Sequence, residues 1–240
     1  MQITLRKLTP DQDGIPGWIA HPDDGARRPG VMMIHHAPGL TGDYKFHAAA
    51  LARQGFTVLV PAIYNMLGFA GEHHHGMGPE IQARHGDADF LAVLGSAWQW
   101  FKSRPDTDPD RTAYIGHCLG GRLGIPFAAD NPGLAALVLF YATIRDEERT
   151  ALRPRHSFDT APMVKCPTLV FYGGSDKLTP NAIQLKLWQG FLAAGTPLEW
   201  HFASHGLHGY ANHDSEGYQP ALADLSTSLM TEFLRRTLAA

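Results

Sequence analysis

Only two cysteines occur in 240 residues, too few for a disulfide scaffold or a cysteine-rich zinc module. Basic residues are not in excess either. Twenty Lys and Arg stand against 23 Asp and Glu, a net charge of −3, which leaves no positive field to hold nucleic acid. The longest apolar run, 134–142, is about half of the ~20 residues that span a bilayer, so no membrane association is expected. The first ten residues lack an apolar core of signal-peptide type and alternate as a strand does. These absences point to a cytoplasmic protein. With 44% hydrophobic and 18% charged residues, the composition excludes disorder, collagen and coiled coil. What is plentiful is histidine, with 14.

Compact apolar runs bounded by turn residues recur at 31–34, 56–60, 112–115, 134–141, 168–172 and 198–202. Their length and lack of alternation suit strands covered on both faces, as in a parallel sheet. Helical patterns lie between them, at 44–54, 79–103, 119–129, 181–194 and 219–238. Strict alternation of the two predicts one α/β domain over 1–240, a single mostly parallel sheet with helices on both faces. Residues 104–111, with two Pro and three Asp, read as a turn. The loop 62–78 leaves the C-terminal end of a strand, where open α/β sheets bind ligands, and reads as lining a site.

The 112–115 strand runs into Gly116-His117-Cys118-Leu119-Gly120-Gly121 and then a helix. This is the G-x-S-x-G spacing with Cys in place of Ser. A nucleophile on so sharp a strand-to-helix turn needs small neighbours, because the chain nearly touches itself. The helix N-terminus favours thiolate, and the Leu119 N–H is a natural oxyanion donor. An acid and a base follow in the order this architecture demands. Gly173-Gly174-Ser175-Asp176 comes after the 168–172 strand, and His205-Gly206-Leu207-His208-Gly209-Tyr210 after the 198–202 strand. Asp176 can orient an imidazole or cap the helix that follows. His205 and His208 both stand where a base is needed.

Residues 108–121, Tyr172-Gly-Gly-Ser-Asp176, His208-Gly209-Tyr210 and Pro61-Ala62-Ile63-Tyr64 together resemble the dienelactone hydrolase family of α/β-hydrolases. The resemblance implies an α/β-hydrolase fold, with Cys118 as nucleophile, His208 as base and Asp176 as orienting acid. It also implies a second oxyanion donor at the Ala37 N–H, and no cofactor. Two departures stand out. His36 replaces the family's Glu after the first parallel strand, and a His cannot play that carboxylate's part in thiol protonation. A substrate-binding Arg falls at Asn212, while a second corresponds to Arg84.

An uncharged, activated ester or lactone therefore fits better than dienelactone itself, and the same geometry accepts a neutral phosphotriester. Only about two dozen residues separate the 134–141 and 168–172 strands, so no large cap domain is expected. Tyr64, Met66, Leu67 and Phe69 are then expected to line an apolar leaving-group pocket. The partner is a small molecule, and the chain is a monomer or homodimer. Two rival readings are a catalytically inactive binding module and a metal hydrolase using His35, His36, His73, His74, His75 or His85. The histidines of that second set lack regular ligand spacing, which argues against a metal.

Overall fold

The computed structural model describes residues 1–71, 73, 74 and 76–239; His75 lies outside them. The strands are β1 (Ile3–Leu8), β2 (Gly17–Pro22), β3 (Arg28–Ile34), β4 (Thr57–Pro61), β5 (Thr107–His117), β6 (Ala136–Phe140), β7 (Thr168–Gly173) and β8 (Leu198–Ala203). The helices are α1 (Pro10–Asp13), α2 (Gly42–Arg53), α3 (Ile63–Met66), α4 (Met77–Arg84), α5 (Asp87–Lys102), α6 (Leu119–Asp130), α7 (Ser157–Thr160), α8 (Asn181–Ala193) and α9 (Pro220–Thr237). All eight strands form one sheet in the order β1-β2-β4-β3-β5-β6-β7-β8. The β1–β2 and β2–β4 pairs are antiparallel, and every pair from β4 through β3 to β8 is parallel.

Each central strand feeds two cores, as its unbroken apolar sequence requires. Met32 and Ile34 of β3 face one cluster with Tyr114, Leu123, Phe90 and Phe101. Val31 and Met33 face the other, with Tyr44 and Leu51 of α2 and Phe233 and Leu234 of α9. Among the described residues no helix is long and apolar enough to cross a membrane.

Three sequence expectations are corrected. The 79–103 helical pattern is two helices, α4 and α5, broken where His85 is extended (φ −117°, ψ 130°). A Cβ on Gly86 would lie 2.8 Å from the Leu152 carbonyl oxygen, so the break seats a distant loop. The 104–111 turn ends early, because β5 begins at Thr107 and pairs with Arg28 and Pro29 before a register shift at Gly30. Finally, β2 went unpredicted: its buried and half-buried residues do not alternate cleanly.

The connection from β6 to β7, residues 141–167, holds only α7 and a 3₁₀ turn at Ala161–Met163. It carries no large cap.

Candidate active site

The turn from β5 into α6 is steric necessity made visible. Cys118 has φ 53° and ψ −110°, a conformation L-residues avoid. A Cβ on Gly116 would strike the Gly120 carbonyl, and one on Gly120 would lie 2.5 Å from the Ile34 oxygen. Cys118 N–H donates to the Phe140 carbonyl (3.0 Å), and Thr143 N–H donates to the Cys118 carbonyl (3.1 Å). Among the described residues, Tyr141 is the other non-glycine at positive φ (36°). The two strained residues thus lie immediately after strands β5 and β6, in segments tied together by these backbone bonds.

Three strand ends bring the expected groups to this turn. Asp176, after β7, is buried. Its Oδ1 accepts the N–H groups of Leu178 (2.8 Å) and Thr179 (3.1 Å), while its Oδ2 lies 2.8 Å from His208 Nδ1. One carboxylate therefore both shapes the turn ahead of α8 and fixes the imidazole. His208 Nε2 faces the Cys118 side, with Thr143 Oγ1 at 3.5 Å, and that hydroxyl is 3.0 Å from Cys118 Sγ. His205 is exposed, and its carbonyl accepts from Gln219 Nε2. The Tyr141 ring packs edge-on against His208 at 5.2 Å.

Burial would push the Cys118 thiol up. The His208 imidazole, by hydrogen bond and by charge, then the Thr143 hydroxyl and the Ala37 N–H, bring it below the ordinary thiol value. Burial likewise pushes His208 down, yet Asp176 and then the Cys118 sulfur raise it to about 9. The geometry favours thiolate beside imidazolium. His35 and His117 behave oppositely. Burial, the leading cause for both, lowers each to about 3, so neither takes a proton near neutrality.

The Ala37 N–H reaches toward Cys118 Sγ, and Leu119, first in α6, has an N–H with no intrahelical acceptor. The Ala37 carbonyl accepts a 2.8 Å hydrogen bond from Tyr64 Oη, which fixes the peptide. His73 adds a second tie: its Nδ1 accepts the Leu40 N–H at 2.6 Å and its Nε2 lies 2.8 Å from Asn65 Oδ1.

Beside Cys118 opens a cavity of about 450 Å³, lined in part by Ala37, Leu119, Thr143, Arg122, Arg145 and Arg153. Tyr64, Met66, Leu67 and Phe69 are not among its lining residues. Tyr64 is fully buried, with its ring 4.7 Å from that of His35. The other three pack on the core beneath, because α3 turns the 62–78 loop inward. The wall they were expected to supply comes instead from α4, α6 and the 143–157 segment. Arg84 points to solvent and pairs with Glu80 at 2.7 Å. Asn212 is buried, its Nδ2 2.6 Å from His36 Nδ1, so the two positions that depart from the family pattern bond one another.

Sequence reasoning missed Thr143 and Arg122. Arg122 was discoverable, since it lies one helical turn after Cys118 and must share its face. Its Nη1 lies 2.8 and 3.0 Å from the two Asp87 oxygens, while its Nη2 is buried and bonds no described residue. Thr143 carries no motif.

The family model for the dienelactone hydrolase family matches residues 15–238. The chain belongs to the dienelactone hydrolase family. A putative carboxymethylenebutenolidase of Methylorubrum extorquens is 29% identical over 205 residues, 83% of this chain and 70% of the relative. One of Salmonella typhimurium is 28% identical over 226 residues, 92% and 82% of the two chains. A crystal structure of a putative dienelactone hydrolase from Klebsiella pneumoniae superposes with a TM-score of 0.85 at 22% identity, covering 98% of this chain and 100% of that one. A dienelactone hydrolase-like promiscuous phosphotriesterase from metagenomic libraries superposes at 0.80 and 22% identity, covering 99% of each. This family membership makes the protein a hydrolase with a small-molecule substrate, on the α/β-hydrolase fold.

Proposed function

We propose that this dienelactone hydrolase family member hydrolyses activated carboxylic esters or lactones through a covalent thioester on Cys118. The observation that carries the reading is the line from Asp176 through His208 to the Sγ of Cys118, with the Ala37 N–H reaching toward the same sulfur. The thiolate attacks the carbonyl carbon, and the oxygen gains charge between the N–H groups of Ala37 and Leu119. His208, already protonated beside the thiolate, delivers its proton to the leaving alkoxide or phenoxide. It then takes a proton from the water that cleaves the thioester, and Asp176 holds the ring in the tautomer both steps need. Thr143 positions the sulfur by accepting from or donating to it in either protonation state.

Rapid mixing with an activated aryl ester, followed by acid quench and peptide mass spectrometry, tests the reading. An acyl group on the Cys118 peptide, with a burst of phenol release, is the expected result. An acyl group on another residue, or full turnover with Cys118 alkylated, overturns it. Running the same assay with a lactone and a neutral phosphotriester ranks the three classes, the last suggested by the structural likeness to the metagenomic phosphotriesterase.

One observation favours a carboxylate-bearing lactone or ester over an uncharged one. Arg122 lines the cavity and its buried Nη2 bonds no described residue, and a charged donor left without an acceptor beside a cavity selects for one. We expect Arg122→Met to lower kcat/KM on the order of 10-fold or more for an acidic ester, from the ~1.5–3 kcal/mol typical of charged hydrogen bonds. A matched neutral ester should change far less. Equal losses on both would count against the acidic substrate.

A further inference from the structure

The loop after β8 and the first two turns of α2 bring together three metal-ligating side chains that the hydrolytic site does not use. Asp43 and His47 are four residues apart on α2 and share a face; His213 comes from the loop that also carries His208. One ligand atom from each, a carboxylate oxygen and two imidazole nitrogens, lie within 4.8 Å of one another. His213 Nδ1 is 2.5 Å from Asp43 Oδ1, and His47 Nε2 is 3.3 Å from the same oxygen. His47 Nε2 is buried against that carboxylate at ion-pair distance and makes no aligned hydrogen bond to a described residue.

We infer that Asp43, His47 and His213 form a binding site for a zinc-class divalent transition metal. Two imidazoles and one carboxylate with no thiolate suit zinc, cobalt(II) or nickel(II) and not the softest cations. The Asp43 and His47 side chains are 2% and 9% exposed, against 40% for His213. The site is therefore closed on the helix side and open to water on the other, which leaves a fourth position for solvent. Coordination through His213 Nδ1 places that ring's proton on Nε2, and the proton shared with Asp43 is released to solvent as metal binds.

Such an ion would clamp the loop bearing His208 onto α2. The neighbouring residue Asn212 is bonded to His36, and the His47 ring stacks on that of His117 at 6.3 Å and 24°, next to the nucleophile. The site is distinct from the hydrolytic groups, and its test does not depend on hydrolysis.

Cobalt(II) and zinc titrations of the chelator-stripped protein decide the matter. Cys118→Ala serves as a parallel background, since a thiolate is itself a zinc ligand. The expected result is one equivalent bound in both backgrounds. Visible d–d absorption should develop without a thiolate-to-cobalt charge-transfer band, and the melting temperature should rise with metal concentration. His213→Ala, at a half-exposed position, and His47→Gln should each weaken binding at least 100-fold while melting cooperatively without metal. Asp43→Glu should retain weakened binding where Asp43→Ala abolishes it. Binding that vanishes in Cys118→Ala, persists undiminished in both histidine variants, or never saturates at micromolar metal overturns the site and leaves a carboxylate–imidazole cluster alone.

Discussion

Cys118→Ala is expected to reduce hydrolysis of an activated aryl ester by a factor on the order of 10⁴ or more, the scale seen when a covalent nucleophile is removed from a hydrolytic triad. The residue left behind keeps the oxyanion donors and the cavity, so weak hydrolysis above the rate in buffer should survive. The backbone at this position has φ 53°, which Ala tolerates about as poorly as Cys, so the fold should melt near the wild-type temperature. Cys118→Ser is the sharper control. A serine hydroxyl is not ionised beside His208 as a thiol is, so Ser should recover only a small part of the lost rate. A chelator should leave wild-type turnover standing. Activity of Cys118→Ala at wild-type level would end the thiol mechanism outright.

The second large effect is expected at Asp176. Replacing it by Asn keeps the oxygen that accepts from Leu178 and Thr179 but removes the charge facing His208 Nδ1. The imidazole then loses the strongest of the influences that raise it to about 9, and the wrong tautomer becomes available. We expect kcat to fall on the order of 10³–10⁴-fold. Alkylation of Cys118 gives an independent readout. In the wild type its rate at neutral pH should exceed that of an ordinary thiol, because the thiol is lowered by the His208 imidazole. In Asp176→Asn the rate at neutral pH should drop and then climb with pH as an ordinary thiol's does. Stability follows the same sign. A raised His208 contributes stability that is fully present below the ordinary value of 6.5 and lost as pH rises through about 9. The melting gap between wild type and variant should therefore narrow across that interval. A gap that widens with pH would contradict the assignment.

The parts of this molecule legible in its sequence are those dictated by local sterics or by strand-end placement. The glycines at 116, 120 and 121 announce the turn because no Cβ fits there. Cys118, Asp176 and His208 announce themselves because each follows a strand-length run; the strands before Cys118 and Asp176 are buried, and β8 before His208 is the half-buried edge of the sheet. What lay hidden depends on long-range contact. Met66, Leu67 and Phe69 looked like pocket residues, yet α3 turns them onto the core. The true wall includes Arg145, Arg149, Arg153 and Arg155, and a polar stretch so rich in charge reads in sequence as solvated loop. Arg149 and Arg155 are indeed engaged, with Asp159 and Asp130. The histidine excess resolved the same way. His73 and His35 are structural hydrogen-bonding groups, and the Asp43–His213 pair joins residues 170 positions apart, beyond any periodicity.

The division of labour between the β5–α6 turn and the 143–157 segment has a consequence for how such an enzyme changes. The groups proposed to react follow three strand ends held by backbone bonds and by glycines where a Cβ would clash. Much of the polar cavity wall rides on one short connection between β6 and β7 that contributes no strand to the sheet. Recognition can therefore drift, or be redesigned by exchanging that connection alone, while the bond-breaking apparatus is inherited unchanged. A single framework of this kind is a natural starting stock for diversifying substrates.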